Sequence, residues 1–152
     1  MLITKKEKLN MVSKIFLDAN FLLDIVLQRP GFAYARRVMQ AAIDREIEAY
    51  TSPSVLHIVA YFLTKAHNAP TAKKIIGTLL NDVTVIDCTH ATAVLALHSN
   101  ISDFEDALQY YTALAHNTDF FISGDTKLKK IALPQLPVCT AKELLPQAGL
   151  EF

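Results

Sequence analysis

The sequence predicts an α/β fold built on an open parallel sheet, and two observations favour it. Short apolar runs recur along the chain and are separated by stretches with the 3.6-residue apolar spacing of amphipathic helices. Two of these runs stop abruptly at a carboxylate, as expected for strands whose carboxyl ends form a ligand-binding edge. The alternation of strand and helix favours parallel pairing. The predicted strands cover residues 15–17, 47–51, 83–86, 119–123 and 137–139.

Composition indicates one globular domain without a general affinity for nucleic acid. The chain has 152 residues, of which 51% are hydrophobic and 20% charged, so it can form a substantial core. Basic and acidic residues number 15 each, so any binding of nucleic acid must come from a local patch. No apolar run reaches the roughly 18 residues that span a membrane, and the lysine-rich start does not resemble a signal peptide. We therefore expect a cytoplasmic protein with Cys88 and Cys139 as buried free thiols.

The predicted domain begins after a polar leader. Residues 1–13 are predicted as a flexible leader, 14–146 as the folded domain and 147–152 as a tail. Met11 lies just before the first strand, and we hypothesise that it is the natural start of the protein. Loss of activity on truncation to Met11 would contradict that hypothesis.

Two helices are predicted between the first and second strands. The first covers residues 20–27 and is broken at Arg29-Pro30-Gly31, because proline and glycine stop helices. The second is predicted over residues 32–47, where apolar residues recur on one face.

The second strand is followed by another pair of helices. Ser52 and Pro53 have the residue types of an N-cap and a first helical position. The helix that they start is apolar nearly all round from Val55 to Leu63, which is typical of a core or an oligomer interface, so we expect a homodimer. A further helix is predicted over residues 71–80.

The second half of the chain continues the alternation. A helix is predicted over residues 90–98, after the third strand. Ser102 and Glu105 have the spacing of a capping box, which predicts the start of the next helix. A last helix is predicted over residues 140–145.

Four aspartates mark one edge of the predicted sheet. Asp18 directly follows the first strand, and Asp125 follows the fourth through a short turn. Asp103 and Asp106 lie three residues apart at a helix start, which predicts that they share one helix face. The helix dipole would explain one acid there, but with Glu105 the three carboxylates repel one another and favour a bound cation. Oxygen-only ligands suit Mg²⁺ or Mn²⁺ rather than zinc or copper.

At these motifs the chain resembles the PIN-domain ribonucleases. Their opening strand is similar to Ile15-Phe16-Leu17-Asp18-Ala19-Asn20. Their second and third signatures are similar to Asp103-Phe104-Glu105-Asp106-Ala107-Leu108-Gln109-Tyr110 and Asp119-Phe120-Phe121-Ile122-Ser123-Gly124-Asp125. The resemblance implies a three-layer α/β/α fold with a mostly parallel sheet of four to five strands. It also implies Mg²⁺- or Mn²⁺-dependent cleavage of RNA, and many bacterial members are VapC-type toxins neutralised by a small antitoxin protein.

The resemblance implies a set of metal-binding and catalytic residues. Asp18, Asp106 and Asp125 would hold the metal ion, and Asp103 would be an accessory acid. Many PIN nucleases carry a glutamate in the helix after the second strand, and Ile58 falls nearest that place in this chain.

Further residues are expected to support this site. Asn20 and Ser123 would contribute hydrogen bonds to the pocket, as the resemblance implies. A basic residue near the predicted mouth, Arg29, Lys127 or Lys129, would hold the RNA backbone. No element that reads bases is visible, so the sequence predicts no target sequence.

Three other interpretations of the same residues compete with the nuclease. A haloacid-dehalogenase-like phosphatase needs a second aspartate two residues after the first, and Asn20 stands there instead. A phospho-receiver domain with Asp87 as acceptor leaves the acids between Asp103 and Asp106 without a purpose. A PIN-like scaffold that binds RNA or a protein without cleavage is favoured by the missing glutamate and the zero net charge. Stabilisation by Mg²⁺ or Mn²⁺ distinguishes the nuclease from this scaffold.

Overall fold

The computed structural model describes residues 11–152 and contains a five-stranded parallel sheet. The strands are β1 (Ser13–Leu17), β2 (Ile47–Thr51), β3 (Val83–Val85), β4 (Phe120–Ile122) and β5 (Val138–Cys139). Their order in the sheet is β3-β2-β1-β4-β5, and every neighbouring pair is parallel. The predicted α/β fold with a parallel sheet is confirmed, and β1 lies at the centre of the sheet.

Eight helices lie within the described residues and connect these strands. They are α1 (Ala19–Val26), α2 (Phe32–Ile43), α3 (Pro53–Ala66), α4 (Ala69–Leu79), α5 (His90–Leu97), α6 (Phe104–Ala115), α7 (Thr126–Ile131) and α8 (Ala141–Gln147). Every connection between successive strands contains at least one of them, because parallel strands need a crossover. Among residues 11–152, none of the helices has the length and apolar character needed to cross a membrane.

The core fixes the elements that carry the predicted acids. Residues 15–17 of β1 are at most 1% exposed, as expected for a strand covered on both faces. Phe16 stacks on Phe121 of β4 with 5.1 Å between the ring centroids. Tyr110 of α6 packs against Phe121 and donates a hydrogen bond to the Leu136 carbonyl oxygen at 2.7 Å. These contacts hold β1, β4 and α6 together at the middle of the molecule.

The strand order reverses between β1 and β4. From β1 the chain builds β2 and β3 on one side, and then returns to the other side of β1 for β4 and β5. The backbone N–H of Asp18 donates to the Ile122 carbonyl oxygen at 3.4 Å, so the ends of the two central strands are joined. Open α/β sheets bind ligands in the crevice at such a reversal, beyond the carboxyl ends of the strands. Asp18 and Asp125 both follow strands at this crevice.

The start of α6 differs from the predicted capping box of Ser102 and Glu105. The cap is Asp103, whose Oδ1 accepts a hydrogen bond from the backbone N–H of Asp106 at 2.9 Å. A carboxylate caps as well as a serine hydroxyl and also suits the positive end of the helix dipole. Asp103 therefore precedes the helix, and Asp106 lies in its first turn.

Two smaller predictions also need correction, and one short helix was not predicted. The helix predicted over residues 32–47 ends at Ile43, and Arg45 then has a φ of 61°, a left-handed conformation that interrupts the helix. Helix α7 was not predicted, because its short lysine-rich sequence has little apolar periodicity. Both cysteines are free as expected, but only Cys139 is buried, whereas Cys88 is exposed.

The two ends of the predicted domain are covered unequally by the structure. The predicted leader at 1–13 falls mainly outside the described residues, although Ser13 already belongs to β1. The segment predicted as a tail begins at Gln147, the last residue of α8, and continues against α2. There Leu150 is 8% exposed, and the Phe152 ring centroid lies 4.9 Å from that of Tyr34. The domain limits and the start at Met11 stay predictions.

Candidate active site

Asp18 joins β1 to α1 and is the most buried of the four aspartates, with 7% of its surface exposed. Its Oδ1 accepts a hydrogen bond from the backbone N–H of Phe21 at 2.7 Å and thereby caps α1. Burial raises the pKa of Asp18 to about 6, and the charge of Asp106 adds to this, whereas hydrogen bonds from Phe21 and Ser123 lower it. A charged carboxylate in this position requires a nearby positive charge or further hydrogen bonds.

Asp106 lies in the first turn of α6 and is partly buried. Burial raises its pKa to about 6, and the charges of Asp103, Asp125 and Glu105 raise it further. Asp106 in turn raises the pKa of Asp18. Charges shift a pKa in this way only at short range, so Asp18, Asp103 and Asp125 all lie close to Asp106.

Asp125 caps α7 in the way that Asp18 caps α1. Its Oδ1 accepts hydrogen bonds from the backbone N–H groups of Lys127 at 2.9 Å and Leu128 at 3.2 Å. Ser123 is 6% exposed and accepts a hydrogen bond from the Asp125 N–H at 3.1 Å. The Ser123 side chain also lowers the pKa of Asp18, so it lies between the carboxyl ends of β1 and β4.

Two cavities open onto these carboxylates. Asp103, Asp106 and Asp125 line a cavity of about 360 Å³. Asp18 and Asp106 line a second cavity of about 200 Å³. Asp106 belongs to both, so the fold brings the four predicted acids to one crevice at the β1–β4 reversal. Their function as metal ligands stays a prediction.

Residues of α3 and the α1–α2 loop form the wall of the smaller cavity. Ile58 lies there and offers no oxygen ligand. Phe62, one turn further along α3, is 39% exposed, and the Arg29 guanidinium carbon lies 6.0 Å from its ring centroid. Arg29, predicted to contact phosphate, is therefore held at the mouth of the cavity by a cation–π contact.

Two residues of this cavity were missed by sequence reasoning. Phe62 was assigned only to the apolar helix, because its proximity to the acids is a tertiary contact. Gln109 lines the cavity from α6 and is 4% exposed. Its spacing of three residues from Asp106 was the one available signal, since residues three apart on a helix are neighbours.

The remaining predicted residues lie at the rim. Asn20 is exposed and lines both the smaller cavity and a groove of about 560 Å³ that also contains Ser123 and Asp125. Lys127 is exposed and lines the cavity of Asp125. The neighbouring Lys129 instead pairs with Glu143, with 2.5 Å between Nζ and Oε2. Lys127 is therefore better placed than Lys129 to contact a ligand of the acids.

The chemistry of these side chains fits a hard divalent cation, because the ligands on offer are carboxylate, hydroxyl and amide oxygens. Within residues 11–152, however, no three His, Cys, Asp or Glu side chains already stand in an arrangement that could hold a metal ion. Asp103 and Asp125 are directed to backbone N–H groups, and the uncompensated carboxylates repel one another. Cation binding therefore requires these side chains to move closer together.

A family model described as PIN domain matches residues 14–127. The matched segment contains the four aspartates and strands β2, β3 and β4. No curated protein sequence matches the chain.

Several solved structures share the fold. One is VapBC2 from Rickettsia felis bound to a promoter DNA fragment, with a TM-score of 0.64, 18% identity, and coverage of 84% of this chain and 98% of the other. A second is VapC20 from Mycobacterium tuberculosis, a toxin that cleaves the sarcin–ricin loop, with a TM-score of 0.64, 16% identity, and coverage of 81% and 98%. A third is a toxin–antitoxin complex from Klebsiella pneumoniae, with a TM-score of 0.63, 19% identity, and coverage of 84% and 97%.

Proposed function

The chain belongs to the PIN-domain family, and on this premise we propose that it is a divalent-metal-dependent endoribonuclease. The observation that carries the proposal is the convergence of four aspartates at the β1–β4 reversal. PIN nucleases generally use divalent metal ions, and VapC20, which shares the fold, is a toxin that cleaves the sarcin–ricin loop. The reaction is the hydrolysis of an RNA phosphodiester bond.

The proposed cofactor is Mg²⁺ or Mn²⁺, because both ions prefer oxygen ligands. Asp18, Asp106 and Asp125 would hold the ion, with Asp103 as an accessory acid. The raised pKa values of Asp18 and Asp106 support this assignment, since burial and the neighbouring carboxylates disfavour their negative charges and a cation would compensate both effects.

The bound cation would supply an acidified water and neutralise charge on the phosphoryl oxygens. The chain positions the groups around it. Ser123 and the Phe21 N–H fix the orientation of the Asp18 carboxylate.

Basic and polar residues at the rim are proposed to hold the RNA. Arg29 lies in the same cavity as Asp18 and Asp106, and Lys127 in that of Asp125. Each can place a positive charge beside a phosphate of the backbone. Asn20 lies between the smaller cavity and the larger groove and can donate a hydrogen bond.

We further propose that the protein is the toxin of a toxin–antitoxin pair with a small antitoxin protein as partner. The support is the likeness to VapBC2 and to the Klebsiella pneumoniae toxin–antitoxin complex. A homodimer is also proposed, since Tyr61 and Phe62 of α3 are 55% and 39% exposed. A reading frame for a small protein beside the gene, and co-purification of its product, test the first proposal. The molar mass in solution tests the second.

The test of the nuclease is cleavage of short RNA oligonucleotides with Mn²⁺ or Mg²⁺ by the wild type and Asp106→Asn. We expect metal-dependent cleavage that falls by about 100-fold or more in the variant, because one metal ligand is lost. The melting temperature without metal controls for folding. Unchanged cleavage in a folded Asp106→Asn protein would refute the assignment.

A second candidate function is a PIN-like scaffold that binds RNA or a protein without cleaving. It is favoured by Ile58 in the cavity and by the lack of a ready three-acid arrangement among residues 11–152. Thermal stability against Mn²⁺ concentration separates the two candidates. A scaffold shows no stabilisation up to millimolar Mn²⁺, whereas a nuclease is stabilised by mass action.

A further inference from the structure

Gln109 has a polar side chain at a nearly buried position where an apolar side chain would pack equally well. It lies on α6 one turn after Asp106 and is 4% exposed. The cavity that it shares with Asp18 and Asp106 also contains the apolar side chains of Leu23 and Ile58. Core packing alone therefore does not account for a carboxamide at this position.

The carboxamide of Gln109 forms no side-chain hydrogen bond with another residue in the range 11–152. In the same range, no completely buried side-chain nitrogen or oxygen lacks a partner. The amide must therefore reach the small exposed surface inside the cavity, where Asp18 and Asp106 also lie. A nearly buried amide without a protein partner is costly unless a ligand or a water completes its hydrogen bonds.

We propose that Gln109 is a further positioning residue of the acidic site, whose carboxamide oxygen contacts water held by the bound divalent cation. This inference rests on the proposed function. The oxygen of an amide is a hard ligand that suits Mg²⁺ or Mn²⁺ and their waters. It also adds no negative charge to a cluster in which Asp103, Asp125 and Glu105 already raise the pKa of Asp106.

The position of Ile58 makes the carboxamide oxygen of Gln109 more important for cation binding. Ile58 lines the same cavity without any oxygen, so Gln109 offers a neutral oxygen from the opposite element, α6. A neutral ligand binds a cation more weakly than a carboxylate does, because the Coulomb attraction is smaller. Replacing the amide by a carboxylate should therefore strengthen cation binding, and replacing it by a hydrocarbon should weaken it.

The experiment measures melting temperature against Mn²⁺ concentration for the wild type, Gln109→Leu, Gln109→Glu and Asp106→Asn. The exposed Gln135→Leu is the matched control for the change of side chain. We expect Gln109→Leu to need about tenfold more Mn²⁺ than the wild type for the same stabilisation, as for residues that support metal ligands. Gln109→Glu should need less Mn²⁺, Asp106→Asn should lose the stabilisation, and Gln135→Leu should match the wild type.

The outcomes separate this inference from the proposed function. Identical Mn²⁺ dependence of the wild type and Gln109→Leu, with the effect lost in Asp106→Asn, overturns the role of Gln109 alone. No stabilisation of the wild type overturns both. If Gln109→Leu does not fold, Gln109→Glu decides, because its side chain has nearly the same shape. An unchanged or larger Mn²⁺ requirement in that variant overturns the proposal.

Discussion

Asp18 and Asp125 occupy the same local structure in two different environments. Each follows a parallel strand at the carboxyl edge of the sheet and caps the next helix with its Oδ1. Asp18 is 7% exposed and burial raises its pKa to about 6, whereas Asp125 is exposed. The same sequence pattern, a strand that ends in a capping aspartate, therefore occurs once in a buried place and once in an exposed one.

The difference arises from the helix that follows each strand, because β1 and β4 both have a neighbour on each side in the sheet. Asp18 precedes α1, whose first turn packs in the core through Phe21 and Leu22. Asp125 precedes α7, a helix of six residues with one buried side chain, Leu128. Capping leaves the exposed carboxylate of Asp125 in contact with solvent, so its charge needs no further compensation. The charge of Asp18 remains costly after capping, because Asp18 is buried.

The largest expected effect distinguishes the two aspartates directly. Asp18→Asn keeps a capping oxygen for Phe21 but removes the buried charge. We expect RNA cleavage to fall about 1,000-fold, because a bound metal ion supplies several kcal/mol of transition-state stabilisation. Without metal, the variant should be more stable than the wild type at pH 7.5. Oligonucleotide cleavage and urea unfolding measure the two effects.

Asp125→Asn is the matched variant for that comparison. It should also lose cleavage, but its stability without metal should stay close to that of the wild type, because Asp125 is exposed. A gain in stability in Asp125→Asn equal to that in Asp18→Asn would contradict the assigned difference in burial.

The second expected effect is a pH dependence of stability without metal. The folded-state pKa of Asp18, about 6, lies above its ordinary value of 3.8. The stabilising contribution is therefore fully present below about pH 3.8 and is lost as the pH rises through about 6. We expect the difference in unfolding free energy between Asp18→Asn and the wild type to grow by about 2–3 kcal/mol over this range.

Mn²⁺ should offset the loss of wild-type stability at higher pH, since a cation binds the deprotonated carboxylates. Stabilisation of the wild type by a fixed Mn²⁺ concentration is expected to increase between pH 5 and pH 7. Denaturant unfolding at each pH, with and without Mn²⁺, provides the measurement. The assigned pKa of Asp18 is wrong if Asp18→Asn and the wild type differ in unfolding free energy by the same amount at pH 4 and at pH 7.

Much of this architecture could be predicted from the sequence. Apolar runs separated by helical spacing located all five strands, because buried parallel strands have short and almost purely apolar sequences. The strand-end positions of Asp18 and Asp125 followed from the same runs. The order β3-β2-β1-β4-β5 then brings both to one crevice.

Other features depend on contacts that the sequence does not contain. Ser102 and Asp103 are adjacent and both are good caps, so a difference of a few tenths of a kcal/mol selects between them. The exposure of Asp125 and the burial of Asp18 depend on which helices cover them. Gln109 looks like an ordinary polar residue until α3 is placed opposite α6 and encloses it in a cavity.

A smaller effect is expected for Ser123, which connects the two aspartates. Ser123→Ala removes a hydrogen bond that lowers the pKa of Asp18 and the acceptor for the Asp125 N–H. The pKa of Asp18 should rise further, and about tenfold more Mn²⁺ should be needed for the same thermal stabilisation. Ser99→Ala is the control, because the Ser99 hydroxyl is also hydrogen-bonded and partly buried but lies outside both cavities. Equal Mn²⁺ requirements for the two variants would show that Ser123 does not support cation binding.

The smallest expected effect concerns the two sides of the crevice as contacts for RNA. Arg29 lies on the side of Asp18 and Lys127 on the side of Asp125. If each neutralises one phosphate, Arg29→Ala and Lys127→Ala should each lower the slope of log affinity against log salt by about 0.7, the value for one contact to a single strand. Fluorescence anisotropy of a labelled RNA over a range of salt concentrations measures this slope, with the cleavage-deficient Asp106→Asn protein as background.

Lys130→Ala is the matched control for this measurement, because Lys130 is exposed on α7 but lies outside the cavity of Lys127. If only Arg29→Ala lowers the salt dependence of RNA affinity, the RNA backbone lies beside the buried Asp18. If only Lys127→Ala lowers it, the backbone lies beside the exposed Asp125. Equal losses in both would mean that the backbone crosses the crevice and passes over Asp106, the one aspartate that lines both cavities. An equal loss in Lys130→Ala would instead indicate diffuse attraction without a fixed path.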